Sequence, residues 1–274
     1  MTRCTLRFIF IYVLLGVSNA FADNLFFNSE GVNIRYKDVG VGNPIVLLHG
    51  YSMNSNMWDN SLLLKTLSKS HRVITIDLRG HGLSDKPSEP REYGPKVGKD
   101  VIRLLDHLNI PKVHLVGYSM GAYVVGRLLV THPNRIVSAT LGSGFFPFSD
   151  KGEELFAEET AIHMGEQAQQ STGDKRKSLI ALAAVARGWK FDAITDKQVS
   201  EIAVPMQAIF GSKERNEFFE SQKHRLTLPL SSLSIVIIEG ADHDSEEAAI
   251  LRPEFTESVE KIIKLAMAHS SVSN

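Results

Sequence analysis

The 274 residues contain a single cysteine, Cys4, and it lies in the first few positions. A disulfide framework is therefore excluded, and the mature chain would hold its shape by its core alone. Charge of one sign is lacking too, since 30 Lys and Arg stand against 31 Asp and Glu. No basic stripe interleaved with aromatics follows from that balance, so nucleic acid is not an expected partner. There is no Gly-x-Gly-x-x-Gly opening a helix and no His-Glu-x-x-His. The first absence argues against a dinucleotide cofactor and the second against a zinc peptidase site. Asp242, His243 and Asp244 do not make a metal site either, because adjacent residues rarely converge on one ion. Neither a cofactor nor a metal is expected.

Long apolar runs are scarce as well. The longest, Phe8 to Val17, is about half the roughly 20 residues that a membrane span needs. Arg3 and Arg7 precede it, and small residues ending in Ala20, Phe21 and Ala22 follow. This is the pattern of a secretory leader over residues 1–22, with cleavage expected after Ala22 and a membrane anchor as the alternative. An exported protein follows, periplasmic or secreted, with no stable membrane anchor once the leader is removed. The remaining length suits one large α/β domain with an insertion.

What is present centres on Lys112 to Leu129. The β-branched run Val113 to Val116 meets Gly117, Tyr118, Ser119, Met120 and Gly121, and an apolar helical run follows at once. Strand, sharp turn and helix are the setting in which a Gly-x-Ser-x-Gly pentapeptide exposes a serine hydroxyl at strained backbone angles. Glycine at 117 and 121 removes side chains that would collide where strand and helix converge. A buried helix N-terminus then directs its free N–H groups at Ser119.

Strands and helices alternate along most of the chain, the mark of a mostly parallel sheet with helices on both faces. Val32 to Tyr36, Ile45 to Leu48, Arg72 to Ile76, Arg135 to Leu141, Pro205 to Phe210 and Ser234 to Ile238 read as further strands. Helical spacing covers Ser55 to Ser70, the stretch from Asp100 to Pro111, and a final run from Pro253. Between Asp150 and Ile202 the alternation stops, and two or three helical runs split by Ser171 to Asp174 take its place. An insertion of this length exceeds an ordinary crossover. Residues 23–148 and 203–274 are thus expected to form the core and residues 149–202 a helical cap.

The pentapeptide in this setting resembles the nucleophile turn of the α/β-hydrolase family, and the loop Asp77 to Asp85 is similar to that family's loop at the same place. The resemblance extends over nearly all the chain after the leader. It implies an α/β-hydrolase fold and a triad in the chain order serine, acid, histidine. His243, just past the last strand, matches the base, and His81, which precedes the serine, is expected to brace its loop. Glu214 stands three residues after the glycine ending the penultimate strand, where the family carries an aspartate. Glu217 and Asp150 are alternative acids. The oxyanion donors implied are the backbone N–H groups of Met120 and, by resemblance, Tyr51. Phe145, Phe146 and Trp189, with Phe148 and Phe191, are candidates to line an apolar acyl pocket, or else belong to the cap core.

The activity implied is hydrolysis of small to medium carboxylic esters through an acyl-enzyme, with a small-molecule ester as partner. Serine at 119 argues against the family's dehalogenase and epoxide-hydrolase branches, which attack with aspartate. C–C bond hydrolases, lactonases, amidases and peptidases keep serine and stay open. So does a receptor-like member with little turnover.

Overall fold

The computed structural model of the protein describes residues 24–59, 61–146, 151–189, 194–214 and 232–272. The expected leader, Phe148, Phe191, Glu217 and Asp150 lie outside them.

Eight strands form one sheet: β1 (Leu25–Ser29), β2 (Val32–Val39), β3 (Asn43–Leu48), β4 (His71–Ile76), β5 (Val113–Tyr118), β6 (Ile136–Gly142), β7 (Met206–Gly211) and β8 (Leu233–Ile238). Their spatial order is β1-β2-β4-β3-β5-β6-β7-β8. The pairs β1–β2 and β2–β4 are antiparallel, and every later pair is parallel. Among the described residues the helices are α1 (Leu62–Leu67), α2 (Pro95–His107), α3 (Met120–Thr131), α4 (Lys151–Gln169), α5 (Gly173–Gly188), α6 (Asp196–Ser200) and α7 (Pro253–Val272).

Central strands read as unbroken apolar runs because both of their faces are covered. Side chains alternate across a strand, so neighbours in β3 enter different cores. Ile45 and Leu47 pack with Val116, Leu63, Phe255 and Val259 on the α1 and α7 side. Val46 and Leu48 pack with Val101, Leu104, Val125 and Leu129 on the α2 and α3 side. α2 buries Val97, Val101, Leu104 and Leu105 on one stripe. It starts with Pro95 in the first turn, where the missing N–H costs nothing, and ends beside Asn109 at φ +53°, two residues before Pro111.

Two elements depart from the sequence expectation. The helix foreseen over 55–70 is a 3-10 turn, Ser55–Trp58, followed by α1. Ser61 interrupts it: its hydroxyl donates to the Trp58 carbonyl at 2.6 Å and accepts from the Leu64 N–H at 3.2 Å, capping a new helix. β1 was not foreseen. It pairs with β2 at the sheet edge, where only Phe27 and Ser29 are buried, and five half-exposed residues leave little periodic signal.

The loop after β4 is fixed by buried charge. Arg79 grips Asp100 on α2 with two hydrogen bonds of 2.5 and 2.6 Å, and the Ser29 hydroxyl donates to the same carboxylate. Asp77 accepts from the N–H groups of Ser55 and Leu83 at 2.7 and 2.8 Å. Burial works against its charge, but these bonds and Arg35 outweigh it and hold the carboxyl below its usual range.

Candidate functional site

β5 ends at Tyr118 and α3 begins at Met120, so Ser119 occupies the turn at the carboxyl edge of the sheet. Its backbone angles, φ 52° and ψ −118°, are costly for a residue with a side chain. Two close approaches hold it there. A Cβ on Gly117 would lie 2.2 Å from the Gly121 carbonyl oxygen, and one on Gly121 would lie 2.3 Å from that of Leu48. Glycine is therefore demanded at both positions, because the obstructing atoms are backbone.

His243 Nε2 lies 3.0 Å from Ser119 Oγ, although 124 positions separate the two residues in the chain. His243 follows β8 on a loop whose backbone is tied to the loop after β7: the Lys213 N–H donates to the Ala241 carbonyl at 2.9 Å. A Cβ on Gly211 would meet that same Ala241 oxygen at 2.3 Å, so the two loops touch only because position 211 is bare. The Tyr118 hydroxyl donates to the His243 carbonyl at 2.6 Å, and its ring lies 5.7 Å from the imidazole. Asp242 faces the other way, accepting from the Ser245 N–H at 3.1 Å.

Glu214, one turn beyond β7, brings its carboxylate behind the imidazole. Oε2 is 3.5 Å from His243 Nδ1. That is the outer limit of a hydrogen bond, and such contacts often tighten only once substrate is bound. Oε1 accepts from the Ser143 hydroxyl at 2.6 Å and from the Gly211 N–H at 2.8 Å. The Glu214 side chain is 2% exposed and that of His243 34%, so the carboxylate is sheltered and the imidazole is partly open.

The N–H groups of Met120 and Tyr51 make no hydrogen bond to another described residue. Met120 is the first residue of α3, where no intrahelical acceptor exists. The loop of Tyr51 passes against the serine, since a Cβ on Gly50 would sit 3.4 Å from Ser119 Cβ. His49 steadies this loop. Its Nε2 accepts from the Leu78 N–H at 3.0 Å, so Nδ1 carries the proton and donates to the Gly50 carbonyl at 2.8 Å. Burial pushes the His49 pKa down. His81 also braces this region: Nδ1 bonds the Arg79 carbonyl at 3.1 Å, and its ring lies 5.0 Å from that of His49. Burial, and after it the coupling to the neighbouring His49 imidazole, pushes its pKa down to about 3.

The aromatic candidates separate. Phe145 and Phe146 are 0% exposed and pack edge to face, 4.6 Å between centroids, in the same core as Val125 and Leu129. In this arrangement no water-sized space reaches either ring, so they fill the core and do not line an open pocket. Trp189 is half-buried at the end of α5, edge-on to Tyr123 on α3 at 6.3 Å. The insertion itself rests on the loop after β3 through the Tyr51 hydroxyl, which donates to the Leu182 carbonyl of α5 at 2.9 Å.

Ser119 at its turn, His243 after β8 and Glu214 after β7 stand on a single sheet edge. The family model for the alpha/beta hydrolase fold matches residues 43–247, which span all three. The chain is an α/β-hydrolase. Among curated relatives, this α/β-hydrolase is 37% identical over 128 residues to a non-heme chloroperoxidase of Streptomyces lividans, 46% of each chain. It is 34% identical over 110 residues to 2-hydroxymuconate semialdehyde hydrolase of Pseudomonas sp. strain CF600, 39% of this chain and 38% of that one. The α/β-hydrolase thus spans less than half the length of the curated relatives it matches. Its fold is similar to that of a thermophilic esterase from Thermogutta terrifontis, with a TM-score of 0.71 at 20% identity, covering 89% of this chain and 99% of that one.

Sequence reasoning gave no role to Ser143 or Tyr118. Ser143 follows β6 and Glu214 follows β7, and only the β6–β7 pairing makes them neighbours. The signal for Tyr118 was present in the pentapeptide, but its hydroxyl's partner sits 125 positions away.

Proposed function

We propose that the protein is an exported serine hydrolase that cleaves carboxylic esters of small to medium acyl chains through an acyl-enzyme. The observation that carries this reading is the 3.0 Å contact of Ser119 Oγ with His243 Nε2, backed by the buried Glu214 carboxylate. A serine hydroxyl is a weak nucleophile until a base takes its proton in the transition state. Ser119 Oγ attacks the ester carbonyl carbon as its proton passes to Nε2, and Glu214 stabilises the imidazolium from the Nδ1 side. The carbonyl oxygen becomes an anion facing the Met120 and Tyr51 N–H groups, a pair in which each donor is worth about 2.7–4 kcal/mol of barrier. Collapse breaks the ester C–O bond, and the imidazolium proton leaves with the alcohol. Water, deprotonated by the same nitrogen, then attacks the acyl carbon and releases the acid and Ser119.

The helical insertion is read as a cap over this site, with Trp189 the aromatic most open to an acyl group. Ester cleavage is preferred because a serine with an imidazole at 3.0 Å and two backbone N–H groups beside it needs no further group for it. The C–C bond hydrolase reading draws on the similarity to 2-hydroxymuconate semialdehyde hydrolase. Turnover of nitrophenyl esters of graded acyl length, abolished by Ser119→Ala, is the expected result. No Ser119-dependent ester turnover, with cleavage of 2-hydroxymuconate semialdehyde instead, would replace ester by C–C chemistry.

A further inference from the structure

We propose that Ser143 is a positioning residue for Glu214: with the Gly211 N–H, its hydroxyl clamps one carboxylate oxygen so that the other faces His243. The inference rests on the triad reading above and explains how a glutamate can serve in it. A glutamate carries one more rotatable bond than an aspartate, so its carboxylate must be ordered by something besides the histidine. Here Oε1 is held by two donors at 2.6 and 2.8 Å, and among the described residues the other hydrogen-bond contact of the carboxylate is Oε2 with His243 Nδ1. Ser143 is itself fixed from behind. Its N–H donates to the Ile209 carbonyl of β7 at 2.8 Å, and the residue is 5% exposed, so solvent has little access to the hydroxyl.

The backbone at this position favours a different residue. Ser143 sits at φ +51°, a conformation that glycine adopts freely and residues with a Cβ adopt at a cost. A serine held there against its preference, with its hydroxyl on the buried acid, trades local strain for the placement of a charge. A structural hydrogen bond alone would account for the contact but would act independently of the triad charge.

The test uses the rate of covalent labelling by a fluorophosphonate, which needs an activated serine but no knowledge of the natural substrate. Ser143→Gly keeps the backbone conformation and removes the hydroxyl. It should label about tenfold more slowly than wild type, the loss expected for one hydrogen bond to a charged group. Its melting temperature should fall by less than the lost hydrogen bond alone would dictate, because relief of the strain offsets part of that loss. Ser143→Ala should label as slowly as Ser143→Gly while melting lower, so the conclusion survives poor folding of either variant. In a Glu214→Gln background, adding Ser143→Gly should change the rate less than about twofold, because the charge it positions is absent. Wild-type labelling by Ser143→Gly, or an equal loss in both backgrounds, would overturn the inference. A wild-type protein that is not labelled at all overturns the serine-hydrolase reading first and this inference with it.

Discussion

Replacing Glu214 by glutamine changes one atom and no volume, yet the site dictates a large effect. The Oε1 position receives two donors, the Ser143 hydroxyl and the Gly211 N–H. Only the amide oxygen can sit there, so the amide NH2 must turn toward His243 Nδ1. Nδ1 then has to accept, the proton moves to Nε2, and the nitrogen 3.0 Å from Ser119 Oγ can no longer take the serine's proton. The imidazolium also loses its counter-charge. Two unit charges at the observed 3.5 Å interact by about 5 kcal/mol at an effective dielectric of about 20, which is between three and four orders of magnitude in rate. A fall in kcat on nitrophenyl acetate of about 10³- to 10⁴-fold is expected, with KM little changed and the circular dichroism spectrum intact. A folded Glu214→Gln enzyme within tenfold of wild type would refute both the acid assignment and the clamp on Oε1.

Three further outcomes follow from contacts at and around the site. Tyr118→Phe removes the donor to the His243 carbonyl and should lower kcat by about three- to tenfold, the range of one buried hydrogen bond; unchanged steady-state kinetics would remove Tyr118 from any positioning role. Gly121→Ala drives a Cβ to 2.3 Å from the Leu48 carbonyl oxygen, an obstruction of backbone that cannot swing aside, so the variant should lose soluble expression or melt far below wild type. His81 and His114 are held neutral by burial, with pKa values pushed down to about 3 and about 4. Unfolded, each binds a proton below its ordinary value of about 6.5, so stability that is full above that pH is lost as pH falls toward 4, by up to about 1.4 kcal/mol per pH unit for each histidine. Melting temperatures across that window should drop, and less steeply in His114→Gln; parallel curves for variant and wild type would contradict the burial argument.

How much of this was legible in the sequence depends on how local each feature is. The turn at Ser119 is encoded within a few residues, by a β-branched run, two spaced glycines and an apolar helix, and it could be read directly. His243 and Glu214 were readable as positions after apolar strands, but only the resemblance to a known family connected them to Ser119. Nothing in their local sequence states that β7 and β8 bring their ends to the same edge as β5. Ser143 shows the limit more sharply. Its neighbours, Gly142 and Gly144, mark a turn, but the carboxylate it binds comes from another strand, so no window of sequence contains the pair. The aromatic candidates stayed open for the opposite reason: Phe145 and Phe146 look alike as pocket lining and as core, and which they are is decided by packing against α3. The helix foreseen over 55–70 kept its apolar spacing while a serine cap divided it, because a favourable local hydrogen bond outweighed periodicity at Ser61.

The central claim is that Ser119 carries the acyl group between the two halves of the reaction. Rapid mixing with excess nitrophenyl acetate, acid quenching within the first turnovers and peptide mapping by mass spectrometry tests it directly. The account predicts a burst of nitrophenol and an acetyl group on the peptide containing Ser119, absent in His243→Ala. Steady turnover with no acetylated Ser119 at any quench time, or an acetyl group carried by another residue, would contradict it.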